Sequence, residues 1–192
     1  QRETGEQLRQ IVAKMSKSLK NVVNPDDVVR NYGADALRLY EMFMGPLDER
    51  KPWADKGVKG VFNFLNRVYR FFSDPGNITG GQEDPETEKA LHQAIRKVTS
   101  DIENLKFNTA VSALMVFNNT ALKKEKVTAE TAELFVRILS PFAPHIAEEL
   151  WSLYGHPQSL AYEAWPEANE KLLQENVFAY PVSFNGKMRF QF

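Results

Sequence analysis

The chain has 192 residues, no cysteine, and 24 Lys plus Arg against 25 Asp plus Glu, for a formal net charge of -1. The cysteine count excludes disulfides, thiolate metal sites and a cysteine nucleophile, and the charge balance excludes a uniformly basic nucleic-acid module. With 43% hydrophobic and 26% charged residues, the composition is that of a soluble globular protein of one or two domains.

Every apolar stretch falls short of the ~20 residues a bilayer span requires, and no charged-then-apolar leader opens the chain. No membrane is therefore expected, and a cytoplasmic location is. The chain opens on Gln1-Arg2-Glu3-Thr4 and stops at Met188-Arg189-Phe190-Gln191-Phe192, inside a strand-like alternation. Together these ends predict a piece of a longer protein.

Residues 1 to 23 carry no long periodicity. A helix start follows at Asn24-Pro25-Asp26-Asp27, where a capping side chain, a proline suited to the first helical position and two acids at the positive dipole end coincide. Gly33 ends that short helix, and a second runs from about Ala34 to Met44, stopped by Gly45-Pro46. From Val58 to Phe72 the apolar positions recur at i, i+3, i+4 and i+7, with Asn63, Asn66, Arg67 and Arg70 on the opposite face.

Ser73 to Asp84 reads as a loop, after which Asp84-Pro85-Glu86 repeats the cap, proline and acid signature. The stripe Leu91, Ile95, Val98, Ile102 and Leu105 predicts about five helical turns. Further helices are predicted from about Asn108 to Lys124, from Ala129 to Leu139 with Leu134, Phe135 and Ile138 inward, and from Ile146 to Tyr154, closed by Gly155. Long helices with short connections indicate an antiparallel bundle.

Beyond Trp165-Pro166 the period becomes two, with Val182 and Phe184, then Asn185-Gly186, then Met188, Phe190 and Phe192. A three-residue loop that pairs Phe184 with Met188 and Val182 with Phe190 keeps the two apolar rows on one face, so a bulged hairpin is expected. The fold class expected is mainly α: an antiparallel bundle at 53–166, preceded at 1–52 by a loop and helical connector and followed at 167–192 by a linker and short β-hairpin.

The segment that carries chemistry is Lys14-Met15-Ser16-Lys17-Ser18, in the aperiodic stretch before the capped helix. Two ammonium groups three positions apart, flanked by hydroxyl donors on a loop, can surround a polyphosphate whose charge is redistributed in a displacement reaction. Lysine suits this as a flexible point charge that follows a moving group. An arbitrary pair of lysines at this spacing is a solvated basic loop; the whole pentapeptide, followed by Asn21-Val22-Val23-Asn24-Pro25-Asp26, is more specific.

At these residues the sequence resembles the class I aminoacyl-tRNA synthetases, whose KMSKS signature it reproduces letter for letter. Tyr32-Gly33-Ala34-Asp35-Ala36-Leu37-Arg38 looks like the stretch shared by the leucyl, isoleucyl and valyl enzymes, and Ser140 to Trp151 is similar to their helix-bundle segment. Leu39 to Leu47 and Phe64-Leu65-Asn66-Arg67-Val68 are similar to the bacterial leucyl-tRNA synthetases in particular.

The resemblance implies activation of leucine by ATP, with Mg2+ in the parent enzyme, and transfer of leucine to tRNA(Leu). It implies that Lys14 and Lys17 contact the triphosphate, Lys17 stabilising the transferring charge, while Met15, Ser16 and Ser18 shape the binding loop. Many relatives carry a glycine after the motif. Here Leu19-Lys20 precede Asn21, and Asn21 is expected to supply positive φ in glycine's place.

The Rossmann catalytic, amino-acid-pocket and editing parts of such an enzyme are missing from this sequence, so the segment is not expected to activate leucine alone. Those domains and a C-terminal domain of the same polypeptide are its implied partners. His145-Ile146-Ala147 lies at a helix start among prolines and reads as a core or cap histidine, and no metal site is expected. Arg67 occupies a position where relatives carry a tRNA-contacting basic residue, and Arg70, one turn on, can reach phosphate. Leucyl enzymes generally recognise tRNA without reading the anticodon, so base-specific contacts are not expected from the bundle. Trp53, Trp151 and Trp165 are expected to serve packing.

Two alternatives stand beside this reading: the same region of an isoleucyl or valyl enzyme, and a free-standing helical adaptor for RNA or protein. A nucleotide-binding half encoded upstream of Gln1 distinguishes the synthetase from the adaptor. The net charge is itself a cancellation: residues 1–70 carry 13 Lys plus Arg and 9 Asp plus Glu, a net of +4, and residues 71–192 carry 11 and 16, a net of -5. The basic part holds the pentapeptide and Arg67.

Overall fold

The computed structural model describes residues 13–174, 181–184 and 187–191. Its helices are α1 (Pro25–Tyr32), α2 (Ala34–Phe43), α3 (Asp55–Phe72), α4 (Pro85–Glu103), α5 (Phe107–Lys124), α6 (Ala129–Leu139), α7 (Pro144–Leu153) and α8 (Glu170–Leu173). Two short parallel strands, β1 (Ile78–Thr79) and β2 (Val127–Thr128), precede α4 and α6, and an antiparallel hairpin joins β3 (Pro181–Phe184) to β4 (Lys187–Gln191). Among the described residues no helix is long and apolar enough to cross a membrane.

The helix starts follow the expected local chemistry. Asn24 Oδ1 accepts from Asp26 N at 3.1 Å, and Asp84 Oδ2 accepts from Thr87 N at 3.0 Å, each ahead of a proline in the first turn. Gly33 separates α1 from α2 at φ 87°, a conformation that costs a residue with a Cβ roughly 1 kcal/mol or more.

Helix α3 begins three residues before the apolar pattern, because Trp53, Asp55 and Gly57 form its entry against α2. Trp53 Nε1 donates to Asp55 Oδ1 at 2.8 Å, and the Trp53 ring meets the Tyr40 ring edge to face. A Cβ on Gly57 would collide with the Tyr40 ring, so glycine here permits the close approach of α3 to α2.

Leu105 departs from the expected stripe. Helix α4 stops at Glu103, and Leu105 takes φ 56° with 61% of its surface exposed. The chain must reverse within three residues to bring Phe107 against the core at the start of α5. Lys106 N closes that reversal on Asp101 O at 2.7 Å, which turns Leu105 outward. Leu134 is half-buried, while Phe135 and Ile138 are fully buried as expected.

The predicted loop between α3 and α4 contains β1, which pairs Ile78 with Val127 and Thr79 with Thr128. Glu83 adds to this staple by accepting from Thr128 N and Oγ1 at 2.8 and 3.0 Å. Two-residue strands carry no alternation, so periodicity cannot announce them.

The hairpin keeps the expected pairing of Val182 with Phe190 but corrects the rest: Phe184 pairs with Lys187 and Ser183 with Met188, and the irregularity lies between Val182 and Ser183. The extra residue sits within the ladder at Arg189, where a bulge restores register without a longer connection.

One hydrophobic cluster runs through α1 to α7, with Phe64, Phe72, Phe117, Phe135, Phe142 and Trp151 almost wholly buried. Phe72 stacks on Phe135 at 4.8 Å between centroids, and Phe117 meets Phe135 at 4.9 Å. Ala36, Leu39 and Tyr40 of α2 belong to the same cluster, so the segment after the pentapeptide packs directly on the bundle.

Candidate functional site

The pentapeptide forms an exposed turn. Lys14, Met15, Lys17 and Ser18 are exposed and Ser16 is half-buried, and neither lysine forms an ion pair among the described residues. Lys20 N closes the turn on Lys17 O at 3.2 Å. Ser16 Oγ accepts from Leu19 N at 3.2 Å and lies 3.1 Å from Ser18 Oγ. The two hydroxyls and two ammonium groups are thus gathered on one short turn open to solvent.

Asn21 behaves differently from its expected role. The positive φ falls on Lys20, at 51°, while Asn21 uses its side chain as a clasp. Its Oδ1 accepts from Ser16 N at 2.8 Å, and its Nδ2 donates to Lys14 O at 3.4 Å. The carboxamide must reach back across the turn, so the chain reverses one residue earlier. A lysine in the left-handed region costs roughly 1 kcal/mol, offset here by the clasp and the closed turn.

The turn leads through α1 and α2 into a polar joint with α7. Asp35, 5% exposed, accepts from His145 Nδ1 at 2.7 Å, His145 N at 3.3 Å and Ile146 N at 2.8 Å. Ala143 offers α7 no side-chain cap, so Asp35 serves as its N-terminal acceptor from 110 residues away. Arg38 donates to Pro141 O at 3.0 Å beside it. His145 therefore differs from the expected core or cap histidine: its side chain is 73% exposed and only braces Asp35, which does the capping.

Arg67 and Arg70 lie on the exposed face of α3, opposite Val61, Phe64, Leu65, Val68, Phe71 and Phe72, and neither is ion-paired among the described residues. Lys56, Lys59 and Asn63 continue the same face. The two lysines were not singled out from sequence, although their helical spacing to Arg67 and Arg70 carries the signal. Among the described residues no hydrogen bond or ion pair joins the turn at 14–20 directly to α3. The connection runs through α1, where Tyr32 meets Phe62 edge to face at 5.5 Å.

Trp53 and Trp151 serve packing as expected, whereas Trp165 is exposed: Trp151 is 1% exposed, with the His156 ring stacked 3.6 Å away and the Arg137 guanidinium 5.3 Å from its centre. Trp165 Nε1 donates to Thr99 Oγ1 at 2.8 Å.

Residues 84–192 match the family described as the anticodon-binding domain of tRNA ligase, over more than half of the chain. The chain belongs to that family. Residues 10–49, which include the turn, α1 and α2, match a second family, tRNA synthetases class I (I, L, M and V). Helix α3 lies between the two matched stretches.

The chain is similar to LeuRS in a crystal structure of the Agrobacterium radiobacter K84 LeuRS–tRNA–LeuAMS ternary complex, at 38% identity and a TM-score of 0.79, over 93% of this chain. It spans about a quarter, 26%, of that solved chain. The expected class I synthetase bundle is thereby met, and the free-standing adaptor is not favoured.

Proposed function

We propose that this chain is the part of a leucine-tRNA ligase that presents the ATP-handling turn and docks tRNA(Leu). The observation that carries the reading is the junction of the two. A KMSKS turn with both lysines exposed leads into α1 and α2, which pack on α3 with its outward cationic face and share one core with the family-matched helices.

In the reaction proposed for the whole enzyme, a leucine carboxylate oxygen attacks the α-phosphorus of ATP, the bond to the bridging oxygen breaks, and pyrophosphate leaves. Lys14 and Lys17 stand at the turn where two point charges can follow the developing negative charge on the departing group. The Ser16 and Ser18 hydroxyls supply donors on the same turn, and Asn21 keeps it closed. The Mg2+ that accompanies ATP is assigned no ligand in this chain. A hydroxyl of the terminal ribose of tRNA then attacks the leucyl carbonyl carbon, the anhydride bond to the phosphate breaks and AMP leaves, while Arg67 and Arg70 on α3 meet the phosphates of that tRNA. The Rossmann, editing and C-terminal domains are the proposed partners within the longer protein, in the cytoplasm, and without them the segment does not activate leucine.

Lys17→Ala in the longer protein should lower leucine-dependent pyrophosphate exchange by roughly 100-fold or more, in the range for losing one donor aimed at developing charge. It should change tRNA affinity less than about threefold, the expected size of one distant charge. Equal losses in exchange and in tRNA affinity would overturn the assignment.

A further inference from the structure

Where α1, α2, α3 and α7 converge, a cavity of about 290 Å³ opens to solvent, and the joint just described forms one wall. Tyr32, Phe62, Leu65, Asn66, His145 and Ile146 line it together with the first turn of α2. The volume lies at the lower end of the ~300–1,000 Å³ range of small-molecule sites, room for a single ring system rather than a whole nucleoside triphosphate.

The lining selects a neutral, flat occupant. Tyr32 and Phe62, both half-buried, offer an aromatic edge and face, and Leu65 and Ile146 extend the apolar floor. The one acid in the wall, Asp35, has both oxygens committed to His145 and Ile146. On the rim, the Asn66 carboxamide and the exposed His145 ring bring donors and acceptors suited to the polar edge of a base.

The surroundings select the partner. Lys59 precedes Phe62 by three residues and Arg70 follows Asn66 by four, so both fall on the same side of α3 as the cavity mouth, one helical turn to either side. They stand about 16 Å apart along the axis at 1.5 Å per residue. Both side chains are exposed, with Arg67 next to them. An aromatic, uncharged slot between exposed cations is the arrangement by which proteins hold an unstacked base while neighbouring phosphates are neutralised.

We propose that this cavity takes one unstacked nucleobase of the tRNA docked along α3, lodged against Phe62 and Tyr32, with Lys59 and Arg70 on the flanking phosphates. The inference rests on the tRNA-docking reading and adds to it a single base-holding slot.

The test measures tRNA(Leu) affinity of the chain at several salt concentrations and maps crosslinks from 4-thiouridine-substituted tRNA. Asn66→Trp, which fills the mouth, should weaken binding about tenfold, the lower range for losing one stacked base, with the salt dependence unchanged. His145→Ala, which leaves both backbone bonds to Asp35 in place, should weaken it in the same direction. The Arg70→Ala variant should instead lower the salt slope by about one. Crosslinks should fall on residues 62–66 and 145–146.

Wild-type affinity for Asn66→Trp and His145→Ala, alongside weakened binding by Arg67→Glu and Arg70→Glu, would overturn the slot and leave the docking reading standing. Charge reversals without effect would overturn both. A circular-dichroism melt matching the unsubstituted chain separates loss of binding from loss of fold.

Discussion

The turn at residues 14–21 and the bundle behind it are built by opposite means. The turn is held by local polar contacts, Asn21 to Ser16 and Lys14 and Leu19 to Ser16, and stores backbone strain at Lys20, with almost every side chain exposed. The bundle is held by interlocked aromatic rings with near-zero exposure, Phe72, Phe117 and Phe135 among them. Under the proposed function, the turn needs freedom to follow a moving phosphate and the docking face must keep its geometry, which matches this difference in construction.

Substitutions that separate the two regions follow in order of size. Phe135→Ala removes a ring in contact with two others and should destabilise the fold by about 3–5 kcal/mol. Thermal denaturation followed by circular dichroism measures this, and a loss under about 1 kcal/mol would mean that the ring stack does not hold the bundle.

Asp35→Ala strips α7 of its distant cap and should cost about 1–2 kcal/mol, near the upper range for a capping residue. Hydrogen exchange at His145 and Ile146 should accelerate in this variant ahead of exchange in α5. Unchanged protection at these amides would show that α7 stands without Asp35.

The Ser159 hydroxyl, helped by the Leu160 and Ala161 amides, holds the Glu148 carboxyl below its usual 4.5 despite partial burial. A carboxyl depressed in the folded state contributes stability that is present above its unfolded value and is lost as pH falls through the lowered folded value. Glu148→Gln should therefore flatten the acid limb of the stability profile below about pH 4.5. A limb of unchanged slope would remove Glu148 from the acid response.

The smallest stability effect belongs to the turn. Asn21→Ala should change the melting free energy by under about 0.5 kcal/mol, as expected for an exposed loop position. It should nevertheless raise the KM for ATP in the longer protein, because the turn loses its clasp. A bundle destabilised as much by Asn21→Ala as by Asp35→Ala would erase the contrast between the regions.

Local chemistry was legible where one short stretch contains both the signal and the response. The caps at Asn24 and Asp84, the break at Gly33 and the KMSKS pentapeptide needed only neighbours in the chain. The outward placement of Arg67 and Arg70 follows from the 3.6-residue period of α3, and the same period carries Lys56 and Lys59 onto that face. Leu105 misled because it continues the period of α4 by one step, whereas the helix stops at Glu103 and the reversal sets Phe107 against the core. The hairpin register misled because a bulge within a ladder restores pairing as well as a longer loop does.

By itself the sequence determined the mainly helical class, the helix starts and the motif at 14–18, since side-chain spacing and capping act within a few residues. Tertiary structure alone decided that Asp35 caps a helix beginning 109 residues later, that β1 and β2 meet, and that Tyr32, Phe62 and His145 line one open cavity. The physical reason is the same in each case. A buried acceptor, a two-residue strand or a hollow has no period in the sequence, and its partners become neighbours only when distant helices pack.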